Sequence, residues 1–271
     1  MNSVYGLIGE KLAHSFSPHI HSLLLQELNL IGNYCLYETD KEALPLLISQ
    51  LKESGVKGVN VTIPYKVEIM RYMDQLSDSV KKIGSVNTVS FSENSIKGYN
   101  TDYDGFKMML DYFNISLKGQ RCVVLGTGGA SKSVIQSLSD SGVESILIVS
   151  RKELKQKKDY SGFEIVSYQQ LSSIKKDVIV NCTPCGMHPA VNASPVSLEQ
   201  IHGAEICIDL IYNPSQTLFM KMADSLNIKN FNGLYMLVGQ AVRAQEIWNN
   251  ISINPDVVER IYRKVSLQAT L

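Results

Sequence analysis

A glycine loop set between an apolar strand and a helix constrains this chain more than any other feature. Residues 122–125 read CVVL, an unbroken apolar run of the kind buried on both faces of a parallel sheet. GTGGAS follows at 126–131, and a helical pattern at 131–141. Parallel strands need a crossover, so a strand feeding a helix through so short a turn implies a parallel neighbour, expected at 145–149. Further strands are expected at 178–181 and 205–210, with a helix at 216–225.

The same rhythm runs before this loop. Strands at 4–8 and 34–37 alternate with helices at 18–28 and 43–53. In GVNVTIPYK, residues 58–66, Val59, Val61 and Ile63 alternate with Asn60 and Thr62, and Pro64 ends the strand by removing a backbone donor. A helix is expected over 65–73, then a hairpin of 87–91 and 96–99 turning at Glu93, Asn94 and Ser95. A helix at 102–113, with Tyr103, Phe106, Leu110 and Phe113 on one face, leads into the second unit. Helices at 234–248 and 255–267 close the chain, the latter opened by an Asn254 cap and Pro255. At 271 residues the expectation is an α/β fold class in two domains: an N-terminal α/β domain on a mainly parallel sheet, then a Rossmann-type domain.

Charge and composition narrow the partners. Lys plus Arg equals Asp plus Glu at 26 each, so no global basic field gathers nucleic acid or anionic membrane, and a small-molecule partner is expected. Apolar runs such as VYGLIG fall far short of the ~20 residues a bilayer demands, and no signal-peptide pattern opens the chain, so the expected location is cytoplasmic. Five cysteines, an odd number, argue against a secreted disulfide framework. Cys182-Thr-Pro-Cys185, with His188 beyond it, has metal-like spacing, but no second ligand pair accompanies it and no metal is expected.

The glycine loop itself points to a dinucleotide. In its G-x-G-G-A pattern Gly126 permits the tight turn, and Gly128 and Gly129, before Ala130, let backbone N–H groups approach a pyrophosphate at a helix N-terminus. An NAD site places Asp or Glu about 20 residues further on, whereas an NADP site places Arg there. Ser150, Arg151 and Lys152 occupy that place, which favours NADP over NAD; a solvated basic loop continuing into Lys155, Lys157 and Lys158 is the plain alternative. Lys66 is the other anomaly. In the first turn of a helix from residue 65 the macrodipole disfavours a cation, a poor position for folding and a useful one for releasing a proton.

Taken in order, GEKLAHSFSPHIHS at 9–22, NVTIPYK at 60–66, GSVNTV at 84–89, GYNTDYDGF at 98–106, GTGGAS at 126–131, NCTPCGM at 181–187, DLIYNP at 209–214 and NGLYMLVGQA at 232–241 resemble the shikimate dehydrogenase family over essentially the whole chain. The resemblance implies a substrate-binding domain of residues 1–101 and 238–271 and an NADP-binding domain of 102–237. It implies NADPH-dependent, reversible reduction of 3-dehydroshikimate to shikimate in the biosynthesis of chorismate and the aromatic amino acids. By the same resemblance Lys66 and Asp102 are the catalytic pair, and Ser15 and Ser17 hold the substrate carboxylate. Asn60, Thr62, Asn87, Thr101 and Gln240 line the pocket, Tyr212 lies near substrate and nicotinamide, and Thr183 and Gly233 join the cofactor contacts. Such a site has to stabilise and protonate the oxygen of a ketone, which an ammonium does as general acid. Tyr65, where many members carry His, is expected at the rim of the site, and Glu246, in place of an aromatic, in local packing.

Plainer readings compete with these roles. Ser17 caps a helix, Lys66 is a surface lysine and Asp102 an N-cap. Two rival functions are an NAD-dependent dehydrogenase of quinate or shikimate and a ligand-sensing regulator without turnover. A monomer and a homodimer are equally compatible with the sequence.

Overall fold

The apolar runs become strands, sorted into two sheets. The computed structural model describes residues 3–151, 160 and 162–268, and the chain divides into two compact units. Unit 1 is Met1–Phe106 with Leu237–Val265, and unit 2 is Lys107–Met236 with Ser266–Leu271.

Unit 1 is built on β1 (Ser3–Gly9), β2 (Gly32–Glu38), β3 (Gly58–Val61), β4 (Gln75–Leu76), β5 (Thr88–Phe91) and β6 (Ile96–Tyr99), in the order β2-β1-β3-β5-β6-β4. The pairs β1/β2, β1/β3 and β4/β6 are parallel, while the hairpin strand β5 runs against both β3 and β6. Helices α1 (Ser17–Glu27), α2 (Leu44–Glu53) and α3 (Asp78–Ile83) connect these strands, and α4 (Thr101–Tyr112) follows β6. The helix expected over 65–73 is instead a turn followed by a 3-10 helix, Glu68–Tyr72. The cause is local: the Lys66 carbonyl accepts the Val86 N–H at 2.7 Å, so Met70 N–H reaches back only to Val67. Lys66 therefore sits in a turn, and the helix-dipole argument for it lapses. Tyr65 also departs from expectation, because it is buried in the core and donates its hydroxyl to the Thr39 carbonyl at 2.7 Å.

Unit 2 carries β7 (Arg121–Leu125), α5 (Gly129–Asp140), β8 (Ser145–Val149), β9 (Glu164–Val166), β10 (Val178–Asn181), α6 (Leu198–Ile201), β11 (Ile206–Asp209), α7 (Leu218–Ser225) and β12 (Lys229–Asn232). Its sheet, β12-β11-β10-β7-β8-β9, is parallel throughout. Val178, Ile179 and Val180 are fully buried, as a strand covered on both faces requires.

Helices α8 (Leu234–Asn249) and α9 (Pro255–Gln268) close the fold. Asn254 caps α9, its side chain accepting from Asp256 N–H at 2.9 Å. Glu246 accepts the Ile253 N–H at 2.9 Å and pairs with Arg243, so it secures the turn between these helices. The sole tryptophan, Trp248 on α8, is pressed so closely on β3 that a Cβ on Gly58 would fall 2.0 Å from its Nε1, which donates to Val89 O. No helix among the described residues is long and apolar enough to cross a membrane.

Candidate active site

In unit 1 the end of β3, the approach to β5 and the start of α4 converge on one buried ion pair. Lys66 Nζ lies 2.6 Å from Asp102 Oδ2, and the two side chains are only 12% and 8% exposed. Lys66 is therefore no surface lysine. Asp102 does not cap α4 either, since Asn100 Oδ1 accepts the Tyr103 N–H at 3.1 Å. The second Asp102 oxygen accepts from Asn87 Nδ2 at 2.8 Å, and Asn87 Oδ1 in turn accepts the Thr101 N–H at 2.6 Å. Asn87 thus ties the β5 approach to the first turn of α4 and orients the carboxylate. A carboxylate bonded on both oxygens holds the ammonium in one place, and two of the three ammonium N–H donors remain for an oxygen of a ligand.

The other expected pocket residues extend this network. Thr101 Oγ1 lies 2.9 Å from Thr88 Oγ1, and Asn60 Nδ2 donates to Thr88 at 3.0 Å. Thr88, absent from the sequence expectations, is fully buried and links Asn60 to Thr101. Gln240 Nε2 donates to the Leu237 carbonyl at 3.0 Å, while the Thr101 hydroxyl approaches Gln240 Oε1 at 3.5 Å. Thr62 is half-buried just beyond β3.

Ser15 and Ser17 open α1. The N-cap is Phe16, with no side-chain capping bond, and the Ser17 N–H donates to Ser15 Oγ at 3.2 Å, so Ser17 is not the cap. Ser17 is buried, and its hydroxyl meets Tyr34, whose Oη donates to Asn60 Oδ1 at 2.8 Å. Burial holds the Tyr34 phenol well above its ordinary range, with the Ser17 hydroxyl opposing. The sequence did carry a signal for this cluster: Ser17 and His21 stand one turn apart on α1, and both are buried.

Unit 2 holds the glycine loop. Gly126 has φ +99°, a left-handed value, and an added Cβ would meet Thr183 Cγ2 at 2.8 Å. Gly128 is the extended N-cap of α5 without a side-chain capping bond, and a Cβ there would meet nothing within 4 Å. Gly129 and Ala130 form the first turn of α5. Ser150 and Arg151 follow β8, half-buried and exposed respectively; Lys152 lies outside the described residues, as do Lys155, Lys157 and Lys158. Lys132 Nζ lies 5.9 Å from the Tyr160 ring centroid. Tyr212 is half-buried on the segment after β11.

Thr183 is set by a buried carboxylate. Its hydroxyl and N–H both donate to Asn181 Oδ1, at 2.7 and 3.0 Å, and Asn181 Nδ2 donates to Asp209 Oδ1 at 2.9 Å. Burial pushes the Asp209 carboxyl up to about 6, against the Thr217 hydroxyl, the Ile211 N–H and Asn181. The folded protein then holds this proton more tightly than the unfolded chain, where an aspartate titrates near 3.8. This group's contribution to stability is full below about pH 4 and is lost as pH rises through 6, by about 3 kcal/mol. Unfolding free energies of Asp209→Asn and wild type, measured from pH 4 to 7, should accordingly shift by that amount in the variant's favour. A gap constant with pH would contradict the raised value.

Cys182 and Cys185 are free thiols, and burial pushes Cys185 upward, with Arg151 opposing, which disfavours the thiolate. No cluster of three or more His, Cys, Asp or Glu side chains suited to a metal occurs among the described residues.

Comparison with known proteins bears on both units. Residues 7–89 match the family described as the shikimate dehydrogenase substrate binding domain. The shikimate dehydrogenase (NADP(+)) of Clostridium beijerinckii is 45% identical over 95% of this chain and 96% of its own. A crystal structure of a chorismate mutase/shikimate 5-dehydrogenase fusion protein from Clostridium acetobutylicum superposes with a TM-score of 0.96 at 45% identity, covering 100% of both chains. The shikimate 5-dehydrogenase of Thermus thermophilus, solved in complex with NADP(H) and shikimate, gives 0.86 at 31% identity, covering 97% of this chain and 99% of its own. On identity and coverage of this order, this chain belongs to the shikimate dehydrogenase family.

Proposed function

We propose that this protein is an oxidoreductase acting on a CH–OH group, which interconverts 3-dehydroshikimate and shikimate with NADPH on the route to chorismate and the aromatic amino acids. The observation that carries the reading is the buried Lys66–Asp102 pair at 2.6 Å, within the unit that holds the matched substrate-binding segment. The proposed substrate domain, residues 1–101 and 238–271, corresponds to most of unit 1, and the proposed cofactor domain, 102–237, to most of unit 2. Lys66 delivers a proton to the ketone oxygen on reduction and takes it back on oxidation, while Asp102, fixed by Asn87, keeps the ammonium oriented. Ser15 and Ser17 receive the substrate carboxylate at the start of α1, and Asn60, Thr62, Asn87, Thr101 and Gln240 receive its hydroxyls. Tyr212 is a further proposed substrate contact.

NADP fits the residues present. The open space over Gly128 and the left-handed Gly126 leave room for a pyrophosphate at the start of α5, and Arg151 offers a planar fork for a 2′-phosphate. When bound, the nicotinamide supplies the hydride. Gly129, Ala130, Ser150, Lys152, Thr183 and Gly233 complete the proposed cofactor contacts. The free cysteines accord with a cytoplasmic setting, and the active form is a monomer or a homodimer.

The direct test follows absorbance as NADP is reduced with shikimate, then with quinate, and repeats both with NAD. No turnover of shikimate would overturn the reading. Arg151→Ser should raise KM for NADP by about tenfold or more while leaving KM for NAD within about twofold, because charge-assisted bonds to the 2′-phosphate contribute some 1.5–3 kcal/mol. Equal changes for both cofactors would remove Arg151 from the 2′-phosphate site.

A further inference from the structure

Behind Asn60 the polar groups of unit 1 form a chain in which the direction of hydrogen-bond donation has a single solution. Lys57 Nζ only donates, so the Asn249 oxygen faces it at 2.7 Å and also accepts from Tyr5 Oη at 2.8 Å. The Asn249 nitrogen then donates to Gln245 Oε1 at 2.9 Å and to the Gln245 backbone carbonyl at 3.0 Å, which again excludes a flipped amide. Gln245 Nε2 is left to donate to His21 Nδ1, at 2.9 Å. Because Nδ1 accepts, the His21 proton sits on Nε2. The ring is completely buried and stacks on Tyr34 with centroids 4.0 Å apart and planes 8° from parallel. Its Nε2 is buried without a hydrogen-bond partner, and besides Gln245 the Asn60 side chain is the polar group that acts on the ring.

We propose that His21 and Tyr34 are positioning residues that turn two donors, Nε2–H and Oη–H, toward the amide oxygen of Asn60, so that its amide nitrogen faces Thr88 and the substrate. The inference rests on the assignment of Asn60 to the substrate pocket made above. Of the two Asn60 N–H donors, one is held by Thr88 at 3.0 Å and the other only loosely by the Asn87 carbonyl at 3.4 Å. The loose hydrogen is the one a substrate hydroxyl takes. With the amide reversed, its oxygen would face the Asn87 carbonyl, and the pocket would lose a donor. The relay does not switch with pH, because burial pushes His21 down to about 3, against the opposing Asn60 side chain, and keeps it neutral.

Two variants test the relay. Tyr34→Phe keeps the stacked ring and removes one donor. Gln245→Glu sets an acceptor against Nδ1, which draws the proton there and turns a lone pair on Nε2 toward Asn60. In nitrogen-15 spectra of histidine-labelled protein, His21 should carry its proton on Nε2 in the wild type and on Nδ1 in Gln245→Glu. Each variant should raise KM for shikimate about fivefold to tenfold, the loss of roughly one hydrogen bond, with a smaller change in kcat and none in KM for NADP. A proton on Nδ1 in the wild type would overturn the relay. So would an unchanged KM for shikimate in a Tyr34→Phe variant of normal melting temperature. If the wild type turns over no shikimate the proposed function fails instead, and the tautomer still decides whether the relay exists.

Discussion

Replacing Lys66 with alanine should lower kcat for shikimate oxidation by about 10³-fold, the order expected when a positioned general acid–base is removed. KM should change far less, because the substrate contacts proposed for Ser15, Ser17 and the amides around Asn60 would remain. The variant also leaves the Asp102 carboxylate, on a side chain 8% exposed, without its cation, which costs about 3 kcal/mol of stability in a site this buried. Lys66→Ala combined with Asp102→Asn removes the stranded charge, so it should recover most of the melting temperature and none of the activity. Steady-state rates at saturating shikimate, read beside thermal unfolding, separate the two effects. An unchanged kcat in folded Lys66→Ala would remove the lysine from the chemistry.

Gly233→Ala should be the most damaging small substitution in unit 2. A Cβ at that position would lie 2.1 Å from the Leu210 carbonyl oxygen and 2.5 Å from its carbon, both backbone atoms that no rotamer can move aside. The joint between β12 and α8 is otherwise closely tied: Gly233 N–H donates to Ile211 O at 3.1 Å, and Asn232 Nδ2 to Ser215 O at 2.9 Å. Relief requires backbone displacement, at a cost of about 3 kcal/mol, or roughly 5 °C in melting temperature for a protein of this size. Calorimetry without NADP is the appropriate measurement, since a bound cofactor adds its own stabilisation. A variant that melts with the wild type would mean this backbone contact is looser than it stands here. The glycine is thus required by packing, independently of any contact with the cofactor.

How far the chain could be read beforehand follows from where its signals lie. The strands of unit 2 were legible because runs such as CVVL and VIVN are apolar on both faces. β12, KNFN, was not, since an edge strand needs little apolar character and its pattern is that of a loop. α3 was missed although its ends are marked: Ser77 accepts the Val80 N–H, and Gly84 closes the helix at φ +73°. Lys66 and Asp102 could be named from their motifs, but the plainer readings of both fell only when the carboxylate was found bonded to Lys66 and Asn87 rather than to its own helix.

The sequence by itself determined the alternation of strand and helix, the reset at the glycine loop, and the residue types a ketone reduction needs. These are local matters of periodicity, glycine placement and side-chain chemistry. Only the tertiary structure decided that Thr88, Tyr34 and His21 stand behind the expected pocket residues, and that Lys66 lies in a turn rather than a helix. Those outcomes depend on which donor meets which acceptor between segments far apart in the chain, such as Gln245 with His21 or Val86 with Lys66. A buried polar group must find such a partner, and nothing in its immediate sequence says which.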